Sequence, residues 1–265
     1  MAEKGWRVFI GSSILLLASF SIYFVRYPIW SWKNVEPIFV VLTLSYLAVM
    51  LIALYLIKTD LKKSLSSFFS FHGWRIVFIG LAFALLFQAL WYGITIGLGS
   101  KLEYFSFPTL RGYESYSYFW LPLAFALYAV FAVFGAFAEE VTYRGYVQSR
   151  ISAGYGVFIG ILVATILFSL QHIHIFQLPW ITNFLQGQLI NVLFFGIFTG
   201  YFFFKSKGDI WSVFIFHGLS DLFSISLPIQ ITYSSPFTYY ISTIASYILL
   251  LIILRFTPLH KEKLE

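Results

Sequence analysis

Between Ser117 and Ala138 the chain runs without one charged side chain, and the next two residues, Glu139 and Glu140, are both acids. The hydrocarbon core of a bilayer takes about 20 apolar residues per helix. This run is one of eight of that kind, the others lying near 8–25, 38–57, 76–98, 155–171, 188–204, 210–227 and 238–256. A membrane β-barrel would show alternating segments of about ten residues instead, and these runs do not alternate. The chain is 60% hydrophobic and 11% charged, whereas an ordinary soluble domain carries about a quarter charged residues. The expected fold class is therefore all-α, a polytopic transmembrane helical bundle of about eight spans. No internal repeat, low-complexity tail or linker divides it, so residues 1–265 are expected to form one domain.

The chain has no cysteine, which removes disulfides and thiolate chemistry. Its net charge of +6 does not call for nucleic acid. Of the seventeen Lys and Arg, only Arg26, Lys33, Lys101 and Arg111 fall in odd-numbered connections between runs. The rest lie at the termini and in the even-numbered connections. By the positive-inside rule both termini are expected in the cytoplasm. The expected location is a prokaryotic cell membrane or an internal membrane, crossed several times. The run Val8 to Val25 follows Lys4 and Arg7 but is long for a signal peptide, and no A-x-A-like cleavage site follows, so it reads as a retained span. Segment 60–73 mixes Lys with Leu and Phe, which suits either an amphipathic helix at the headgroups or a plain loop. Segment 99–116 is rich in Tyr and Phe, as an interfacial aromatic belt is, and a lid is the alternative.

Most of the eleven acids sit at run edges or in connections, but Glu139, Glu140 and Asp221 do not. Of the five histidines, His172, His174 and His217 end or interrupt apolar runs, while His72 and His260 lie in polar surroundings. A charge at mid-bilayer costs about 2.5–3.5 kcal/mol on insertion scales, so such groups face a bundle interior and mark functional sites by default. For His174 the plainer reading, an interfacial histidine, is preferred. His217 and Asp221 are four residues apart and share a helix face, as do Phe168 and His172, and Glu140 and Arg144. Glu139 is turned about 100° from Glu140 on an α-helix. One acid can therefore pair with Arg144 while the other faces a different neighbour. Suppose the helix bearing Glu139 turns near Ala153-Gly154. Glu139 then stands about 21 Å from that turn, His172 about 28 Å back along the next helix, and His217 and Asp221 roughly 14–20 Å from the Lys207-Gly208 turn. These heights overlap near mid-membrane.

A carboxylate beside a histidine can hold a water and take its proton, and a second polar pair can stabilise an oxyanion. That set suits water attack on an amide. The two glutamates are expected to differ in protonation, with the base kept ionised by hydrogen bonds.

Glu-Glu-x-x-x-Arg at 139–144, Phe-x-x-x-His at 168–172 and His-x-x-x-Asp at 217–221 occur in that order. Together they resemble the motifs of the CPBP family of intramembrane glutamic proteases, also called the ABI or CAAX-protease family. That family includes the Ras-converting type of CAAX prenyl endopeptidase. Gly196-Ile-Phe-Thr-Gly200 and Gly208-Asp-Ile-Trp211 are similar to its glycine-bearing helix and turn. The resemblance covers roughly 135–225. It implies Glu139 as general base, Glu140 paired with Arg144 in support, His172 orienting water or shuttling a proton, and His217 and Asp221 on the oxyanion side. Phe168 enters as part of its motif. The last position is often Asn in the prenyl-endopeptidase branch, and an ionised Asp221 cannot donate to an oxyanion. Either Asp221 is protonated or it only orients His217.

The implied substrate is a membrane-anchored or prenylated peptide, in the prenyl branch a C-a-a-X terminus losing its last three residues. No cofactor and no nucleic acid partner are implied. Zinc is the alternative, since two His and three carboxylates suffice as ligands, but no H-E-x-x-H is present. Neither G-x-S-x-G nor the G-x-G-D of aspartyl intramembrane proteases occurs. An ion or proton transporter and an idle scaffold or immunity protein on the same fold complete the alternatives.

Overall fold

The computed structural model describes residues 35–71, 73–104, 121–172, 189–226 and 229–259. Helix α1 is Val35–Thr59, followed by a single turn, α2 (Leu65–Phe68), and by α3 (Trp74–Gly97). After strand β1 (Lys101–Tyr104) comes α4 (Leu121–Glu140). The chain then winds as a π-helix over Val141–Gln148 and returns to α-helix in α5 (Ser149–Tyr155). Helices α6 (Val157–Gln171), α7 (Leu189–Lys205) and α8 (Ile210–Ser226) follow, then β2 (Ile229–Thr232) and α9 (Pro236–Phe256). Seven of the eight apolar runs thus coincide with helices. The run at 8–25 lies outside the described residues, as do His72, His174, His260 and most of segment 99–116.

The pattern of burial is inverted relative to a soluble protein. On α6, Phe158, Leu162 and Ile166, four residues apart, are all exposed. On α9, Phe237, Ile241, Ile248, Ile252 and Phe256 are exposed too. The groups inside include Glu139, Glu140, Arg144, Gln148 and Gln171. Apolar side chains outward and ionisable ones inward is the arrangement a hydrocarbon solvent selects. Helices α3 and Phe237–Phe256 are long and apolar enough to cross a bilayer, and the α1, α6, α7 and α8 segments are shorter apolar helices. The protein is an all-α membrane helical bundle.

Turn chemistry explains the sharp joints. Gly156 holds φ at +90°, a left-handed value that ends α5 and lets α6 start at once. The helix therefore runs two residues past the Ala153-Gly154 turn expected from sequence. Between α7 and α8, Lys207 and Gly208 both take positive φ, and the Gly208 N–H closes on the Phe203 carbonyl at 2.8 Å. Asp209 then caps α8, its Oδ1 accepting from the Ser212 N–H at 3.0 Å. Segment 60–73 forms only the four-residue α2, too short to be the amphipathic helix considered above.

Helix α8 packs on α3 and α4, α4 on α1, and α6 on α7, with the π segment enclosed by α1 and α6. Small residues let α6 and α7 approach. A Cβ on Gly196 would stand 2.8 Å from Thr165, and one on Gly200 3.0 Å from Ile161. This is the small-xxx-small contact of membrane helices. Phe83, Phe198 and Phe216 fill the space between α3, α7 and α8, with ring centroids 5.7 Å and 4.7 Å apart.

The sequence pattern did not foresee the two strands. They pair antiparallel, Lys101 opposite Thr232 and Tyr104 opposite Ile229. Ser234 donates to the Leu98 carbonyl at 2.7 Å, joining the end of α3 to the start of α9. A two-stranded ribbon has unpaired edges, which hydrocarbon does not satisfy. It therefore belongs at an aqueous face of the bundle.

Candidate active site

The last two residues of α4 are Glu139 and Glu140, and the helix changes its winding immediately after them. In the π segment each N–H reaches five residues back, a rare form that recurs at functional sites. Arg144, four residues on, meets Glu140. Arg144 Nε lies 3.2 Å from Glu140 Oε2, with both side chains essentially fully buried. The guanidinium also donates through Nη2 to Thr199 Oγ1, whose own hydroxyl donates to the Phe195 carbonyl at 2.8 Å. Its Cζ stands 4.7 Å above the Phe168 ring and 5.9 Å above that of Phe195. Arg144 is thus fixed by one charge, one hydroxyl and two aromatic faces from α6 and α7.

Glu140 turns its second oxygen to α8, where Oε1 lies 2.7 Å from His217 Nδ1. An ionised carboxylate only accepts, so Nδ1 carries the proton. Nε2 of the same ring lies 3.5 Å from Asp221 Oδ2 and 3.8 Å from Glu139 Oε2. A neutral ring would present a lone pair to both carboxylates. The set is matched only when a further proton sits on Nε2 or on one of the two acids facing it. The ring is wedged against Phe195, 4.5 Å between centroids, and Phe168, 6.2 Å away.

Glu139 has quite different neighbours. Its Oε1 accepts from the Tyr46 hydroxyl on α1 and from Gln171 Nε2 on α6, each at 2.9 Å. Tyr46 and Gln171 are neutral, so a reading built on titratable residues missed them. Gln171 was nonetheless visible as the polar residue beside His172, at the end of an apolar run.

The structure brings Glu139, Glu140, Arg144, Phe168, His217 and Asp221 into one cluster. His172 lies at the C-terminal end of α6, its Nδ1 2.8 Å from the Phe168 carbonyl and its ring 4.6 Å from the Phe168 ring. From this helix it is Gln171 that meets Glu139. Glu139 and His217 are almost buried, whereas the Asp221 side chain is 43% exposed. The cluster therefore opens on the Asp221 side. Among the described residues, no group of three or more His, Asp or Glu side chains is arranged to hold a metal ion.

A cluster of acids and an imidazole inside an apolar bundle has the groups that proton transfer requires. Residues 119–223 match the family model described as Rce1-like, type II CAAX prenyl endopeptidase Rce1-like. This segment, which holds all three motifs, is similar to that family, the CAAX-protease family that the motifs resemble. The matched family is one of prenyl endopeptidases, which are peptide-bond hydrolases. No curated protein and no solved structure matches the chain.

Proposed function

We propose that this protein hydrolyses a peptide bond with a water activated by Glu139, releasing the C-terminal tripeptide from a C-a-a-X sequence whose Cys is prenylated. One observation carries the reading. Glu139 has one oxygen held by two neutral donors, while the other faces His217 Nε2 across 3.8 Å. One water hydrogen-bonded to both atoms fits that spacing.

Glu139 takes a proton from this water as its oxygen attacks the scissile carbonyl. The carbonyl π electrons move to oxygen, and the resulting oxyanion lies on the His217 side, where a protonated Nε2 donates to it. The proton held by Glu139 passes to the amide nitrogen, the C–N bond breaks, and the tripeptide leaves as an amine. Glu140 holds Nδ1 of His217 and so fixes the ring. Before the oxyanion forms, Asp221 accepts from the Nε2 N–H and so orients His217. His172, beside Phe168, acts in orienting water or relaying a proton. The reaction uses no metal. The chain crosses the bilayer several times with both termini in the cytoplasm, and the prenyl group approaches through the lipid.

Purified protein in detergent should cleave a farnesylated C-a-a-X peptide, and a chelator should leave the rate unchanged. Glu139→Ala should lower kcat at least 10²–10⁴-fold, the range of a general base. Cleavage abolished by the chelator would overturn the metal-free reaction. Cleavage surviving in Glu139→Ala would remove Glu139 from its role. No cleavage by the wild-type protein, with proton flux in liposomes, would replace peptidase by transporter.

A further inference from the structure

We infer that Tyr46 and Gln171 form a two-donor clamp on Glu139 Oε1, positioning the carboxylate so that only Oε2 addresses the water. The inference rests on the reading of Glu139 as the base. Both donors meet the same oxygen at 2.9 Å, and their neutrality sets them apart from the partners of Glu140. A carboxylate oxygen has two lone pairs, so two donors saturate it. The carboxyl plane is then fixed from two directions, α1 on one side and α6 on the other.

Each donor is suited to the task. The Tyr46 side chain is almost buried, and its ring lies against Gly135, 3.6 Å from where a Cβ would stand. A Cβ at 135 would meet the ring at ordinary van der Waals distance, so the ring packs directly on the backbone of α4 there. Gln171 is buried, and its amide orientation is set because Nε2 must face the carboxylate. Its Oε1 is left without a hydrogen-bond partner among the described residues. A buried amide oxygen in that state costs about 1–3 kcal/mol unless something donates to it. The water that Glu139 activates, or an N–H of the bound peptide, can supply that donor. Gln171 thereby becomes the link between base and substrate.

Tyr46 also lies outside the matched segment 119–223. The motif-bearing helices alone leave one of Glu139's donors missing, and α1 completes the site.

The test compares wild type with Tyr46→Phe, Gln171→Leu and the double variant, all in detergent. Tyr46→Phe removes only the hydroxyl and keeps the ring on Gly135. A hydrogen bond to a charged group is worth about tenfold in rate when it holds a base in place. We expect kcat to fall about tenfold for each single variant and about a hundredfold for the double, with KM within about twofold. Tyr55→Phe, exposed on the same helix, should match wild type. The infrared carboxylate stretch assigned to Glu139, from the difference against Glu139→Gln, should shift in both single variants. Wild-type kcat together with an unshifted band in Tyr46→Phe would overturn the clamp. Should the wild-type protein cleave no prenylated peptide, the peptidase reading fails. The infrared comparison still decides the clamp, and an unshifted band still overturns it.

Discussion

The continuous helix from Leu121 to Tyr155 carries two ionic clusters, and they differ in what their charges are for. Near its C-terminal end Arg150 Nε meets Asp60 Oδ2 at 2.6 Å, and the Tyr146 hydroxyl donates to the same oxygen at 3.1 Å. One acid, one base and one hydroxyl satisfy each other there, each ionic side chain being 13% exposed. Upstream, three carboxylates converge on one imidazole, and among the described residues only Glu140 is matched by a guanidinium. Simple pairing accounts for the lower cluster. In the upper one Glu139 and Asp221 both face the same His217 Nε2. A bundle that needed only cohesion would not bury those two acids, since each costs desolvation that its partners repay incompletely. This concentration of acid on one imidazole is what the proposed water activation uses. Helix α1 and the residue just past its end serve both clusters, Tyr46 and Asp60 lying about 21 Å apart at the α-helical rise.

Substitutions can break this contrast, and the largest effect should come from Arg144. Replacing it by Leu strands Glu140 in a dry interior, and we expect a loss of about 3–5 kcal/mol in denaturant unfolding in detergent. Adding Glu140→Leu should restore much of the stability and none of the activity. A loss below about 1 kcal/mol for Arg144→Leu alone would place the upper cluster on the same footing as the lower. Next comes Gly145→Ala, between the clusters, where a Cβ would meet the Phe68 ring edge at 2.6 Å. Overpacking of this kind costs about 1–3 kcal/mol, and Phe68→Leu in the same chain should recover most of it. Asp60→Asn should cost about 1 kcal/mol and leave kcat within about twofold. A fall in kcat as deep as that of Glu139→Ala would mean that the lower cluster takes part in catalysis. The smallest effect, about 0.6 kcal/mol, is expected for Thr243→Val, which removes the acceptor 3.2 Å from Trp91 Nε1. This neutral membrane hydrogen bond sets the baseline for the other variants.

The helices were legible because hydrocarbon leaves a chain few choices. Each described span coincides with an apolar run, and the four-residue spacings of Glu140 with Arg144 and of His217 with Asp221 place real neighbours together. Less was legible where geometry departs from the α-helical period. Nothing in Val141–Gln148 announces π winding, which depends on how α1 and α6 enclose the segment. The ribbon pairs four-residue strands more than a hundred residues apart, too short to show an alternating pattern. Tyr46 is one of 18 tyrosines, and a hydroxyl on an aromatic ring does not stand out in a run this apolar. His172 drew notice as a titratable group, yet the neutral amide one residue before it reaches the acid. A search for charge finds the acids of such a site and overlooks the neutral groups that aim them.

The π segment also bears on how this chain tolerates changes in length. It lies between the two clusters, and its winding sets the rotation of Arg150 relative to Glu139. Deleting one residue from Val141–Gln148 with the winding kept would turn everything downstream relative to everything upstream by one residue's rotation, unless the segment reverts to α winding. Either the acids would leave His217 and Tyr46, or Arg150 would leave Asp60. Between these two anchors the residue count is itself a constraint, and variation in length should be confined to the connections outside them.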